Sequence, residues 1–201
     1  MDINRFTEKL QESLRAAQSK ASRYSHQQLD VDHLLLSLLE PEAGLAVSVL
    51  TRAGVDLNAV RSALEPELDR LPKVSGPSGP PDQIYVTPRL NRLLDNAEDE
   101  AKKLKDEYVS IEHVLLAALD DSGAAGRILK KFGLTRDRLM QALREVRGSQ
   151  RVTSQNPEAT YQALERYGRD LTQLAAQGKL CLLYTSPSPR DRTRSRMPSS
   201  A

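Results

Sequence analysis

The residue types best suited to chemistry are two acid–histidine pairs, Asp32-His33 and Glu112-His113, set eighty residues apart in a chain of 201. An acid beside an imidazole could serve as a general acid–base dyad or as part of a metal-ligand set. Neighbouring residues on a helix, however, point about 100° apart and do not hydrogen-bond each other. The remaining inventory is thin: a third histidine, His26, and a single cysteine, Cys181. Three histidines without cysteine support do not make a zinc site of the usual composition. No G-x-x-x-x-G-K-[ST] phosphate loop occurs; Gly178-Lys179 lacks both the upstream glycine and the following hydroxyl residue. G-x-S-x-G, H-E-x-x-H and paired-cysteine motifs are likewise missing. The chain therefore reads as no enzyme, with no catalytic residue, no metal ligand and no cofactor of its own. What the two pairs can do is start helices.

Each pair lies in a segment that the chain repeats. Leu29-Asp30-Val31-Asp32-His33 followed by Leu34 to Leu39 matches Val109-Ser110-Ile111-Glu112-His113 followed by Val114 to Leu119. The match runs upstream at the same offset, pairing Thr7 with Thr87, Leu10 with Leu90, Leu14 with Leu94, Ala17 with Ala97 and Ala21 with Ala101. Downstream the offset falls by one, pairing Val49-Leu50 with Ile128-Leu129, Gly54 with Gly133, Val60 with Leu139 and Leu64 with Leu143. Self-similarity at a fixed period marks a repeat architecture. The expected fold is all-α: two tandem four-helix repeats related by a pseudo-twofold axis.

The helix boundaries follow from local chemistry. Thr7 and Thr87 are N-caps of the first helices, and Pro88 suits the first helical position. Asp30 and Ser110 cap the second helices, and Asp32 and Glu112 lie in their first turns, where free N–H groups favour a carboxylate. His33 and His113 stand three residues after the cap, from where a side chain can reach back to the cap residue as in a capping box. The aliphatic runs that follow are apolar on nearly every side, which places the second helices at the buried centres of their repeats. Third helices are expected over about residues 43–53 and 122–132, each stopped by a left-handed C′ glycine, Gly54 or Gly133. Fourth helices begin near Asp56 and Thr135.

Composition sets the domain limits. Repeat 1 spans about residues 3–70 and repeat 2 about 84–147, joined by the Pro/Gly-rich linker 71–83, so that 1–148 form one domain. Residues 149–156 turn polar, 157–180 read as one further helix closed by Gly178, and 181–201 form a Ser/Arg/Pro tail without periodicity. That tail reads as disordered and non-native, resembling translated cloning or adapter sequence joined to a truncated gene. It holds four Arg and one Asp; without it the net charge of +2 becomes −1, from 25 basic and 26 acidic residues. A nucleic-acid footprint calls for a basic patch on a folded face, so no nucleic-acid partner is expected. With no apolar run of roughly 18 residues no membrane span is expected either. The N-terminus lacks a secretory signal and one cysteine allows no internal disulfide, which points to a cytoplasmic protein.

These residues resemble a known family. Phe6-Thr7-Glu8-Lys9-Leu10, the two acid–His–aliphatic cores and the Gly-terminated third helices look like the paired Clp repeats at the N-terminus of Clp ATPases. Leu71-Pro72, Tyr161 to Thr172 and Gln177 to Leu180 are similar more specifically to ClpB-type disaggregating chaperones, the last of these segments resembling the lead-in to a first AAA+ module.

The resemblance implies a substrate-engaging domain that binds unfolded or aggregated polypeptide, with Thr7, Asp106 and Glu112 at positions linked to that role. Thr7 and Glu112 also have a local explanation, as an N-cap and a first-turn acid. Asp106, in the loop before the second helix of repeat 2, is the least readily explained by local structure. By the same resemblance ATP, Mg²⁺, a homohexameric ring and a DnaK-type partner belong to a complete parent protein, and the isolated domain is a monomer. An adaptor-docking domain of a Clp protease unfoldase is the alternative.

Overall fold

The computed structural model describes residues 3–40, 44–73, 84–148 and 151–157, all within the compact unit Met1–Gln162. The expected lead-in helix and tail, and most of the linker between repeats, lie outside the described residues. After a 3₁₀ turn at Ile3–Arg5, repeat 1 runs α1 (Glu8–Arg23), β1 (Gln28–Leu29), α2 (Val31–Leu38), α3 (Leu45–Arg52) and α4 (Leu57–Asp69). Repeat 2 runs β2 (Tyr85–Val86), α5 (Pro88–Leu104), α6 (Ile111–Leu119), α7 (Ala124–Lys131) and α8 (Arg136–Arg147). Four helices are thus found twice, with boundaries within two residues of those read from the sequence. Among the described residues no helix is long and apolar enough to cross a membrane.

The caps act as their chemistry requires. Thr7 and Thr87 accept the N–H groups of Leu10 and Leu90 at 3.4 and 3.1 Å. Gly54 and Gly133 both adopt φ +79°, a left-handed conformation that costs glycine no Cβ clash. Every residue of α2 and of α6 is buried, as all-round apolar helices should be, and their side chains join one continuous core drawn from both repeats.

Contacts between the repeats come in mirrored pairs. α3 packs on α8 and α4 on α7, while α3 reaches α6 and α2 reaches α7. That reciprocity is the pseudo-twofold. It extends to the backbone: β2 pairs in parallel with β1, and Phe6 forms the equivalent parallel bridge to Val109. The Thr87 N–H donates to the Leu29 carbonyl and the Thr7 N–H to the Val109 carbonyl, both at 3.0 Å. The segment leading into each first helix is therefore held by the other repeat. These short strands were not anticipated from the sequence.

A second unexpected pair lies at the ends of the first helices. Ser25 and Lys105, eighty residues apart, take φ +58° and +59°. This left-handed residue lets the next N–H reach back, from His26 to the Ala21 carbonyl at 2.8 Å and from Asp106 to the Ala101 carbonyl at 2.9 Å. The turn carries His26 and Asp106 inward, each next to the helix-starting histidine of its own repeat.

Candidate functional site

In repeat 2 the Ser110 N–H donates to His113 Nδ1 at 2.9 Å, so the imidazole closes the capping box that the spacing suggested. Its proton is then on Nε2, which donates to Asp106 Oδ2 at 3.0 Å. Asp106 also accepts from the Val152 N–H at 2.9 Å and from both Arg147 Nη atoms. The same guanidinium donates to Glu112 Oε1 at 2.8 Å. Burial pushes the Asp106 carboxyl up, but the bonds from His113, Arg147 and Val152 outweigh it and hold it at about 2. Burial dominates at Glu112, whose carboxyl is raised despite His113 and Arg147, and its Oε2 has no hydrogen-bond partner.

Thr7, Asp106 and Glu112 are thus all interior residues, with residue exposures of 0, 7 and 1%. In this conformation none of their side chains can touch a partner lying on the surface. Asp106, which local sequence explains least, is the junction of a cap relay, an ion pair and a backbone bond, two of them to residues more than 40 positions away. What links Asp106 and Glu112 to the surface is Arg147, whose side chain is 11% exposed. Arg147, in the last turn of α8, suits the helix dipole locally, and nothing in the sequence announced its two partners 41 and 35 residues upstream.

Arg147 lines a groove of about 250 Å³ between the end of α5 and α8, together with Leu104, Met140, Leu143, Arg144, Gly148 and Arg151. Leu104 and Met140 are half-buried and packed against the core, so the floor is apolar, while Arg144 and Arg151 are exposed at the rim. The geometry offers non-directional burial of an apolar group beneath guanidinium donors. None of the described residues lining it is a nucleophile, and the His113 and Asp106 side chains are each 0% exposed.

The ligand atoms of Asp106, Glu112 and His113 lie within 4.8 Å of one another, close enough for a shared cation. Arg147 already supplies the positive charge between the carboxylates, and both His113 nitrogens are engaged, one accepting and one donating. The donor set does not fit a metal.

Repeat 1 builds the same start differently. Asp30 accepts from the Val31 N–H at 2.8 Å and its own N–H donates to His33 Nδ1 at 3.1 Å. His33 Nε2 meets not a carboxylate but His26 Nδ1, at 2.8 Å. Asp32, the counterpart of Glu112, pairs with Arg89 of α5, which also holds Asp30 and Asp121. Burial raises the Asp32 carboxyl even so, whereas at Asp121 the Arg89 bonds outweigh burial and lower it. Arg89 therefore fastens the two repeats together.

Comparison with known proteins gives this arrangement a family. The sequence pattern of the Clp repeat (R) N-terminal domain matches residues 5–132. The chain is 49% identical over 182 residues to the chaperone protein ClpB of Nitratidesulfovibrio vulgaris and 46% identical over 180 residues to that of Bacillus anthracis. Each alignment covers 90% of this chain but 21% of the relative, so the chain spans about a fifth of their length. Among solved structures, the Hsp104 N-terminal domain of Candida albicans superposes with a TM-score of 0.65 at 26% identity, over 76% of this chain and 97% of that one. The ClpV N-domain in its complex with a VipB peptide shares the fold, with a TM-score of 0.58 at 22% identity over 71% of this chain and 86% of that one. With its paired four-helix units, its two histidine-capped central helices and these matches, the chain belongs to the Clp repeat N-terminal domain family and is similar to ClpB chaperones.

Proposed function

We propose that this chain is the substrate-engaging domain of a ClpB-type chaperone and that the α5–α8 groove takes apolar segments of unfolded or aggregated polypeptide. The observation that carries the reading is the groove itself: an apolar floor at Leu104, Met140 and Leu143, rimmed by Arg144 and Arg151. Asp106 and Glu112 serve it from behind by fixing Arg147; Thr7 serves it by starting α1 and tying it to Val109. All three are positioning residues. The peptide complex of the ClpV N-domain supports polypeptide as the ligand class.

On this reading the chain is not itself an enzyme and needs no cofactor. ATP and Mg²⁺, hexamer assembly and work with a DnaK-type chaperone, ending in disaggregation in the cytoplasm, belong to the complete protein. Binding at one domain can be weak, because several copies on a ring raise the effective affinity.

The test is a fluorescence-anisotropy titration of the full chain with reduced, carboxymethylated lactalbumin, which cannot fold. Saturable binding that weakens roughly tenfold in Met140→Ser/Arg144→Ser is expected, from lost apolar burial and charge. Unchanged binding in that variant would remove the groove from the proposal. Failure to bind the unfolded probe, together with tight capture of one folded adaptor, would favour the protease-adaptor reading.

A further inference from the structure

The α5–α8 groove is apolar at its floor and cationic at its rim, and the cations are held in place. Arg144 stands on α8. Arg147, three residues on, is fixed by Asp106 and Glu112. Arg151 lies beyond the helix, but its neighbour Val152 is 0% exposed. The Val152 N–H donates to Asp106 Oδ1 at 2.9 Å, and its carbonyl accepts from the Glu107 N–H at 3.0 Å. Asp106 therefore steadies two of the three arginines at the groove, Arg147 directly and Arg151 through the residue beside it.

The three guanidiniums differ in what they have left to give. Arg147 is occupied by the carboxylates beneath it. Arg144 and Arg151 are exposed, and among the described residues neither side chain has a hydrogen-bond or ion-pair partner. Residues 102–107 and 140–151, together with Glu112, carry six basic and four acidic side chains, a local excess of two positive charges. α5 and α8 both end here, and each helix C-terminus contributes roughly half a negative charge, so the excess stays positive. Helix packing does not demand this rim. At the offset that aligns Leu64 with Leu143, α4 of repeat 1 has Glu65 and Leu68 where α8 has Arg144 and Arg147.

We infer that the groove selects, among unfolded segments, those in which an aliphatic residue stands beside Asp or Glu, with Arg144 and Arg151 as the specificity-determining residues. The inference rests on the proposal that the groove binds unfolded polypeptide and names the segments it prefers. The aliphatic side chain is buried against Leu104, Met140 and Leu143, while the neighbouring carboxylate meets a free guanidinium. A guanidinium offers a carboxylate two parallel N–H donors, a match that a neutral amide fills only in part. A lysine or arginine beside the aliphatic residue is repelled.

The experiment is a competition for labelled reduced, carboxymethylated lactalbumin bound to the full chain. The competitors are two peptides with the same aliphatic residues, one carrying Glu between them and the other Gln. Both are acetylated and C-terminally amidated, so that side chains alone supply carboxylates. The Glu peptide is expected to compete roughly tenfold better, and the ratio to shrink with added salt. In Arg144→Gln/Arg151→Gln the two peptides are expected to compete alike, whereas Arg144→Lys/Arg151→Lys should keep part of the preference. A merely structural role for these arginines would change both peptides together and leave the ratio intact. If lactalbumin binds but the Glu peptide has no advantage, including the case in which neither peptide competes, the acidic preference is overturned and the groove reading survives. A preference that persists in Arg144→Gln/Arg151→Gln overturns the assignment to these residues. If lactalbumin does not bind the parent at all, both proposals fall.

Discussion

The two repeats start their central helices with one device and finish it with two different chemistries. In both, a left-handed residue turns the chain inward, a histidine reaches back to the N-cap amide, and its other nitrogen meets the side chain just after the turn. In repeat 1 that side chain is His26, and the relay ends in a free donor; in repeat 2 it is Asp106, and the relay ends in Arg147 and the Val152 amide. The acids diverge as well: Asp32 is claimed by the other repeat's Arg89, whereas Glu112 is claimed by its own repeat's Arg147. The scaffold is common because cap and turn geometry are backbone requirements. The side chains that complete it face different neighbours and are free to differ, which leaves repeat 2 with charge behind a groove and repeat 1 with a buried neutral donor that has no hydrogen-bond partner.

The largest test of that contrast removes the charge from repeat 2. Arg147→Met leaves two buried carboxylates facing each other without a cation, and is expected to cost about 3–5 kcal/mol. Urea denaturation at neutral pH reads it. The deficit should shrink in the double variant with Asp106→Asn, since an amide can still accept from His113 while one negative charge is gone. A small loss in the single variant would mean that water, rather than Arg147, balances these carboxylates.

Acid should separate the repeats next. Burial, then the neighbouring His26, pushes His33 down to about 4. Burial, then Lys73 and against the pull of Asp69, lowers His26. The folded pKa lies below the unfolded value of 6.5, so the unfolded chain takes up more protons as pH falls. Stability is whole above pH 6.5 and declines from there to about pH 4, by roughly 3 kcal/mol for His33. Asp106 has the same sign in a lower window: its contribution is present above 3.8 and is lost only as pH drops toward 2. Hydrogen exchange corrected for intrinsic rates should therefore show α2 amides losing protection at pH 5 while α6 amides keep theirs. His33→Gln, which keeps a capping side chain but cannot titrate, should remove the larger part of the slope and leave the share of His26. Equal protection of α2 and α6 would refute the neutral relay.

What could be read beforehand was the part of each repeat written in adjacent residues. Thr7, Thr87, Asp30 and Ser110 mark helix starts, Gly54 and Gly133 mark ends, and the unbroken aliphatic runs mark the buried helices. What escaped depends on long-range closure. The Arg89 contacts to Asp30 and Asp32 span 59 and 57 residues, and Arg147 meets Asp106 across 41. No local pattern distinguishes either arginine from its surface neighbours. Ser25 and Lys105 escaped for another reason, since neither is a residue type that advertises a left-handed turn. The eighty-residue offset aligned His26 with Asp106, and that alignment was the available signal that both meet a capping histidine.

Gly126 breaks the symmetry in packing. A Cβ there would lie 2.1 Å from the Asp121 carbonyl oxygen and 3.0 Å from that of Ala118. The shorter α6–α7 turn brings the end of α6 hard against α7, whereas repeat 1, one residue longer here, has Val47 at the matching position. Gly126→Ala is expected to destabilise by about 1–3 kcal/mol through backbone displacement. Val47→Gly should cost about 0.3–0.5 kcal/mol from helix propensity alone. Thermal melts of the two variants compare them directly, and a harmless Gly126→Ala would show that the turn, not the glycine, sets the helix distance.

The smallest effect bears on what the repeats share. Ser25 and Lys105 hold a conformation in which Cβ crowds the following carbonyl, at a cost of roughly 1–2 kcal/mol. Glycine would relieve that but frees the unfolded chain by about 0.5–1 kcal/mol, so Ser25→Gly and Lys105→Gly should each stabilise by about 0.5 kcal/mol. Equal gains are expected because φ differs by a single degree between the two sites, +58° against +59°. Unequal gains would place a side-chain interaction of Ser25 or Lys105 on top of the backbone term. The shared turn would then have diverged along with the histidine partners it delivers, and the common scaffold would stop one residue earlier, at the first helix itself.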